Sequence, residues 1–222
     1  MKRILIACSM MENEIKKIFE EYSVNIPVVW IDRGYHNTPE KLRQKLQSLI
    51  DEMKDQEEIL LCYGLCGNGT AGLVSQNATL ILPRFDDCIN MLLCTGRRKT
   101  RGLTQGRSIY LTRGWTMDEE AILPKYQQYV EEYGEEDAKD ILDIMYEHYE
   151  TISVIDTGCE DLTETMAYAH KAAELLGLSV KQVEGSVDIL RKLLLGQWDE
   201  NFIIQKPGEA LSPGRWEFPD RE

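Results

Sequence analysis

The sequence predicts an α/β protein with a Rossmann-like three-layer αβα arrangement and a mostly parallel sheet. Short apolar segments of strand length alternate with longer segments whose apolar residues recur at helical spacing. Glycine, proline and helix-capping residues separate these segments. The chain has 222 residues, 43% of them hydrophobic, which is enough to bury a sizeable core. Strands that alternate with helices of this length are typical of a parallel sheet covered on both faces.

The first half of the chain contains five predicted strands with helices between them. The strands are predicted over residues 3–7, 27–31, 59–62, 79–82 and 108–111. A first helix is predicted over residues 11–22. The second has Thr38 as its N-cap and Pro39 at its first position. After the fourth strand, Asp86 and Asp87 can cap a helix that runs through Leu92.

The second half continues the alternation after a long helical region. That region spans residues 119–149 and is predicted to break at Pro124 and Gly134. Three more strands and one helix follow, namely strands over 152–156, 178–183 and 202–204 and a helix over 162–176. Ser186 can cap a last helix that ends near Leu195.

These elements predict a single α/β domain over residues 1–211. The recurrence of the pattern leaves open two similar lobes, 1–115 and 150–211, that face a central cleft. An acidic helical segment, 116–149, would join them. Residues 212–222, rich in proline, glycine and charge, are predicted to form a loose C-terminal tail.

The net charge of −13 argues against nucleic acid and against an anionic membrane surface as partners. Part of this charge is concentrated in one acidic stretch, Glu131, Glu132, Glu135, Glu136 and Asp137. A solvated helical face is the favoured interpretation of that stretch. No segment approaches the ~18 apolar residues of a membrane span, and a cytoplasmic protein with reduced cysteines is expected.

Small or reactive residues follow five of the predicted strands. The clusters are Ala7-Cys8-Ser9, Cys62-Tyr-Gly-Leu-Cys66, Thr112-Arg-Gly-Trp115, Asp156-Thr-Gly-Cys159 and Glu184-Gly-Ser186. Because ligands bind beyond the carboxyl ends of parallel strands, we expect all five clusters to meet along one edge of the sheet.

The cysteines in and near these clusters are candidate ligands of a soft metal. Thiolates bind zinc and iron–sulfur clusters. Cys62 and Cys66 are separated by three residues, which differs from the usual Cys-x2-Cys spacing, so the prediction depends on placement. Cys8 and Cys159 lie at other strand ends, and Cys88 lies at a helix start.

A free thiol is the alternative use of the same residues. Cys66 or Cys62 could act as a nucleophile or an acid–base group, with His36 as the best-placed base. The glycine-rich segment, with Gly64, Gly67, Asn68 and Gly69, could present backbone N–H groups to a phosphate or carboxylate, or could form only a tight turn.

Four further residues are candidate contacts of a small-molecule ligand. Arg84 and Asp87 are two of them, and Arg84 could bind a carboxylate or phosphate, or pair with the neighbouring aspartates. Trp115 could stack on a flat ligand or serve packing. Asp156 could be a site carboxylate or a helix cap.

The motifs of this chain resemble the family known as domain of unknown function 1638. The similar stretches are Cys62-Tyr-Gly-Leu-Cys66-Gly, Pro83-Arg84-x-Asp-Asp87-Cys88-Ile89, Leu111-Thr-x-Gly-Trp115 and Asp156-Thr-Gly. The resemblance extends to about Leu211. It implies a setting in anaerobic bacteria and methanogens, beside corrinoid proteins and their methyltransferases for one-carbon compounds. It implies no reaction and no residue roles.

Three hypotheses follow. In the first, the cysteine-lined cleft binds a metal or iron–sulfur cluster and serves corrinoid-dependent methyl metabolism. Its ligands would be Cys62, Cys66 and Cys88, with Cys8 or Cys159. In the second, the protein is a thiol-dependent enzyme that acts on a small carboxylate or methylated amine. In the third, it is a non-catalytic partner of a corrinoid protein or methyltransferase, docked through the acidic helical segment.

Overall fold

A computed structural model describes residues 2–95 and 106–216 of the chain. The contacts divide the chain into two compact units. The first unit comprises Met1–Leu103 together with Ser186–Glu222, and the second comprises Thr104–Gly185. The second unit is therefore an insertion in the sequence of the first.

The first unit contains a five-stranded sheet with the strand order β2-β1-β3-β4-β8. Its strands are β1 (Arg3–Cys8), β2 (Val28–Ile31), β3 (Glu58–Cys62), β4 (Thr79–Pro83) and β8 (Phe202–Gln205). The first four strands are parallel, and β8 pairs with β4 in the antiparallel direction. Apolar residues fill β3 and β4 because helices cover both faces of the sheet.

Helices pack on both faces of this sheet and give it three layers. On one face, α2 (Pro39–Glu52) buries Leu42, Leu46 and Ile50 in a core cluster that includes residues of β1, β3 and β4. On the other, α8 (Asp188–Leu195) contacts β3 and β4 and also meets α1 (Glu12–Tyr22) and α3 (Cys88–Leu92).

The order of the strands creates a switch point between β1 and β3. From β1 the chain moves outward to β2 and then crosses back to β3 on the opposite side, where Ala7 is in register with Cys62. Crossovers on the two sides of such a point leave a crevice at the carboxyl ends of the strands, where doubly wound proteins bind ligands.

The second unit contains a three-stranded parallel sheet with the order β5-β6-β7. Its strands are β5 (Ser108–Leu111), β6 (Thr151–Asp156) and β7 (Ser179–Glu184). Four helices accompany them, α4 (Arg113–Thr116), α5 (Ile122–Tyr133), α6 (Glu135–Tyr146) and α7 (Thr163–Leu176). Helix α7 packs on β6 and β7, and α4, α5 and α6 contact α7.

The chain returns to the first unit beside the end of α3. The backbone N–H of Ser186, where the chain returns, donates a hydrogen bond of 2.7 Å to the carbonyl of Leu92 at the end of α3. The side chain of Ser186 then accepts from the backbone N–H of Asp188, the first residue of α8.

The predicted fold class is confirmed, and so is the helix that Asp87 caps. The predicted break at Gly134 occurs at a φ of 86°, whereas Pro124 lies within the first turn of α5, where proline fits a helix. Among the described residues, no helix is long and apolar enough to cross a membrane.

The expectation that five clusters meet at one sheet edge is wrong. Two of the clusters follow β1 and β3 of the first sheet, and the other three follow β5, β6 and β7 of the second. Alternating elements predict parallel pairing, but they do not reveal where one sheet ends and another begins.

The boundaries of the units also differ from the expected lobes. Helix α8 and strand β8 return to the first sheet, so the first unit regains residues after 186. Of the segment expected to be a loose tail, residues 217–222 lie outside the described part. Its described part forms a 3-10 helix, Pro213–Trp216, and buries Trp216 at 1% exposure.

Candidate functional site

Four of the six cysteines line one small cavity of the first unit. We call it the thiol cavity. Its lining residues are Cys8, Met10, Asp32, Tyr35, His36, Leu42, Cys62, Tyr63, Cys66 and Cys88. They come from the segments that follow β1, β2, β3 and β4, with Leu42 from α2. The cavity therefore lies at the carboxyl edge of the sheet, beside the switch point between β1 and β3.

Cys8 and Cys62 are the last residues of two neighbouring strands. Parallel pairing in register brings Ala7 opposite Cys62, so the thiols that end β1 and β3 belong to the same region of the sheet edge. Cys62 is 1% exposed, and Cys8 is partly exposed. Parallel strands thus bring together two thiols that are 54 positions apart in the sequence.

Cys66 is positioned by the glycine-rich loop after β3. The backbone N–H groups of Leu65 and Cys66 each donate 2.8 Å hydrogen bonds, to the carbonyls of Phe85 and Asp86. Only glycine fits at Gly64, because a Cβ there would lie 2.5 Å from the Phe85 carbonyl oxygen. This close approach joins the loop that carries Cys66 to the segment that leads to Cys88.

The same loop turns sharply through three consecutive residues of positive φ, Cys66 at 47°, Gly67 at 63° and Asn68 at 73°. A non-glycine residue in this region is strained, and such strain is concentrated at functional sites. The turn is closed by the Gly69 N–H, which donates to the Cys66 carbonyl, and by the Thr70 hydroxyl, which donates to the Gly64 carbonyl at 2.7 Å.

Cys88 is the first residue of α3, and Asp87 caps that helix. A carboxylate oxygen of Asp87 accepts hydrogen bonds from the backbone N–H of Asn90 at 2.8 Å and from its side-chain amide at 2.9 Å. The cap explains why the helix begins at Cys88, and it fixes the backbone position of this cysteine.

Burial favours the protonated form of three of the cavity's thiols, those of Cys62, Cys66 and Cys88. Burial raises the pKa of Cys62 well above its ordinary value, and Cys8, Cys66 and Glu14 raise it further. Burial raises the pKa of Cys66 to about 12, although a backbone hydrogen bond from Gly64 opposes this shift. The pKa of Cys88 is raised for the same reasons, first by burial and then by the neighbouring thiols.

The cavity has room for one atom-sized guest. Its volume is about 20 Å³, slightly more than the space that a single water molecule needs. Among the described residues, no three His, Cys, Asp or Glu side chains are arranged to hold a metal ion as they stand. A cysteine side chain has three staggered rotamers, so its sulfur can change direction without a change in the backbone.

His36 lines the cavity from a 3-10 helix, Arg33–Asn37, that follows β2, and Asp32 lines it from the position just before that helix. Asp32 caps this helix by accepting a 2.8 Å hydrogen bond from the Gly34 N–H. The arrangement places the predicted base His36 beside the thiols, as expected from its position in the loop after the second strand.

The lining of the cavity does not include the predicted site residues Arg84, Trp115, Asp156 and Cys159. Arg84 donates to the Phe202 carbonyl of β8, and its own N–H donates to Asn201. The other three, Trp115, Asp156 and Cys159, belong to the second unit.

Each of those three residues has contacts within the second unit. Asp156 accepts from the Gly158 N–H and from the Gln182 amide. Trp115 packs against the core cluster of that unit. The Cys159 thiol approaches the Thr157 carbonyl at 3.8 Å.

Sequence patterns did not indicate five residues that line the cavity, Met10, Asp32, Tyr35, Leu42 and Tyr63. Tyr63 lies between Cys62 and Cys66 in the sequence, and this position was the signal that could have indicated it as a cavity residue. Alternation along a strand would turn Cys62 and Tyr63 to opposite faces. The rule does not apply here because β3 ends at Cys62.

A comparison with protein-family models matches residues 30–194 to the family described as Protein of unknown function (DUF1638). The match covers most of the chain and includes Cys62, Cys66 and Cys88. No curated protein matches this chain, and no solved structure matches it.

Proposed function

Since the chain belongs to the DUF1638 family, whose description names no function, we propose a function from its own geometry. The thiol cavity binds a single soft metal ion, such as zinc, through cysteine thiolates. The observation that carries this proposal is the convergence of Cys8, Cys62, Cys66 and Cys88 on one cavity from four places in the sequence. Four thiolates match the ligand number that zinc prefers in structural sites.

The size of the cavity favours one ion over a cluster. A space of about 20 Å³ accommodates a single atom, whereas an iron–sulfur cluster would require the surrounding loops to move apart. Met10 and His36 also line the space and carry a thioether and an imidazole, which suit soft and borderline metals. An iron–sulfur cluster remains the alternative form of the same site.

The raised pKa values of the thiols count against nucleophilic catalysis. A catalytic thiol is activated by a lowered pKa, whereas burial raises the pKa of Cys62, Cys66 and Cys88. A bound metal ion supplies the positive charge that stabilises thiolates in a dry site, and the thiol protons leave to solvent as it binds. The thiol-dependent enzyme is therefore the weaker alternative.

Anaerobic purification followed by elemental analysis and visible spectroscopy tests the proposal. We expect about one equivalent of zinc or another soft metal per chain, and its loss in the double variant Cys62→Ser/Cys66→Ser. The matched control is Cys94→Ser/Cys159→Ser, because neither of these cysteines lines the cavity. The control should retain the metal.

Two other outcomes would change the assignment. Iron with acid-labile sulfide and a broad visible absorption would assign a cluster to the site. A metal-free protein whose Cys66 is selectively alkylated at neutral pH would contradict the metal proposal. It would favour a thiol-dependent enzyme acting on a small carboxylate or methylated amine.

The family resemblance extends the proposal to a setting in corrinoid-dependent methyl metabolism. In that setting the metal site would serve a corrinoid protein or its methyltransferase. One observation favours a docking function as a second candidate. Helices α5 and α6 expose Ile144 at 71%, Met145 at 49% and Tyr133 at 48% within the acidic segment. Apolar residues of this size on a charged helical surface are typical of a protein contact.

Pull-down with a purified corrinoid protein, measured at low and high salt, tests the docking function. Retention that is lost when Glu131, Glu132, Glu135 and Glu136 are changed to glutamine would support it, because a charged interface depends on those carboxylates. Equal retention of the unsubstituted protein and the glutamine variant would contradict the docking function and leave the metal proposal intact.

A further inference from the structure

One buried polar group of the thiol cavity has no hydrogen-bond partner among the described residues. Tyr63 is 4% exposed and lines the cavity together with all four cysteines. Its hydroxyl is buried and, among the described residues, has no hydrogen-bond partner. A buried hydroxyl without a partner is destabilising, and native structures rarely retain one without a reason.

The surroundings of Tyr63 limit what that partner can be. Four thiols line the cavity with it, together with the polar side chains of Asp32, Tyr35 and His36, and none of these groups accepts a hydrogen bond from the hydroxyl. A protonated thiol is a weak acceptor. A thiolate is a much stronger acceptor, because a hydrogen bond to a charged group is shorter and about twice as strong. Metal binding converts the ligand thiols into thiolates and so creates acceptors beside this hydroxyl.

We propose that the Tyr63 hydroxyl donates a hydrogen bond to a cysteine thiolate of the metal-loaded site. Tyr63 is then a positioning residue that stabilises the bound form and orients one ligand. The inference rests on the proposed metal-binding function and adds to it a residue of the Cys62-Tyr-Gly-Leu-Cys66 motif that is not itself a ligand. Outer-shell hydrogen bonds of this kind typically strengthen metal binding tenfold or more.

Cobalt(II) is a suitable probe because it replaces zinc in tetrahedral thiolate sites and has a visible spectrum. In Tyr63→Phe, we expect cobalt affinity to fall by about tenfold. The sulfur-to-cobalt charge-transfer band should also move to longer wavelength, because a hydrogen bond withdraws electron density from sulfur. The metal-free variant should be as stable as the unsubstituted protein or more stable, because a buried hydroxyl without a partner is removed.

Tyr168→Phe is the matched control. The Tyr168 oxygen accepts a 3.0 Å hydrogen bond from the Leu123 N–H in the second unit. Its removal should lower the stability of the metal-free protein and leave the affinity and spectrum of cobalt unchanged. Tyr63→Phe is thus expected to weaken cobalt binding without lowering the stability of the metal-free protein. Tyr168→Phe is expected to lower that stability without weakening cobalt binding.

The outcomes separate this inference from the function on which it rests. If the unsubstituted protein gives no cobalt–thiolate spectrum, the proposed function fails and the inference fails with it. If cobalt binds and Tyr63→Phe has the same affinity and spectrum, the inference alone is overturned. A metal-free Tyr63→Phe that is less stable or does not fold would also overturn it, because the hydroxyl would then already have a stabilising partner.

Discussion

Gly64 lies where the loop after β3 comes closest to the segment after β4. No side chain fits there, and the two hydrogen bonds that join the segments depend on this approach. The glycine determines whether Cys66 and Cys88 can belong to one site, although it offers no ligand atom itself. Glycine at such a position is required by close packing and not by a positive φ.

We expect Gly64→Ala to lower the free energy of unfolding by about 2 kcal/mol, because the added methyl group would push the two segments apart. Bound metal should be lost at the same time. Gly214→Ala is the control, since a Cβ at Gly214 meets nothing within 4 Å. Chemical denaturation and elemental analysis measure both effects, and equal stability of the two variants would contradict the packing argument.

The raised pKa of Cys66 predicts how the stability of the metal-free protein depends on pH. Between the ordinary value of 9.0 and about 12, the unfolded chain has lost the thiol proton while the folded chain keeps it. A higher pH therefore favours unfolding in this window, and stability should fall as pH rises above 9. Below pH 9 the thiol is protonated in both states, so this contribution is constant.

Denaturation of the metal-free protein between pH 8 and 10.5 measures this slope. Cys66→Ser should lose stability less steeply, since one titrating thiol has been removed. An unchanged slope in Cys66→Ser would show that burial does not hold this thiol in its protonated form.

Helix α3 shows how a short element can place a functional group. It has only five residues, and its position depends on its cap and on the hydrogen bonds that join its preceding segment to the loop of Cys66. The sequence Asp86-Asp87 predicted this cap correctly, because acidic N-caps follow a local rule. The residues that line the cavity together with Cys88 of α3 depend on the strand order, and the local sequence does not specify that order.

We expect Asp87→Ala to destabilise the protein by about 1 kcal/mol and to weaken metal binding, because α3 and Cys88 lose their cap. Asp87→Asn retains a capping oxygen and should remain close to the original stability. Thermal unfolding and cobalt titration measure the two properties. If both variants were equally stable, the carboxylate would not be acting as a cap.

Across the whole molecule, the sequence predicted the elements better than their grouping. Periodicity located the strands, and the strand-end rule predicted that Cys8, Cys62 and Cys66 would come together, whereas Cys88 was a candidate from its place at a helix start. The same rule failed for Cys159, because its strand belongs to a second sheet. Sheet membership depends on pairing between distant segments, and hydrophobic periodicity does not record which strands pair.

The division into two units predicts where metal binding rigidifies the protein. Hydrogen exchange should slow in the loops around residues 62–70 and 85–92, which carry the ligands. It should be unchanged in α5 and α6 of the second unit, which contribute no cavity residue. Mass spectrometry of the metal-loaded and metal-free forms makes this comparison, and slower exchange of α5 and α6 in the metal-loaded form would contradict a site confined to the first unit.

The hydrogen bond between Ser186 and Leu92 has a consequence for how the chain could be rebuilt. It brings Ser186, the first residue after the second unit, next to the end of α3, the last described helix of the first unit before it. A short turn could replace the intervening chain, or another domain could be grafted there, without altering the strands that carry the thiols. Insertions at such places are tolerated when the ends are close together.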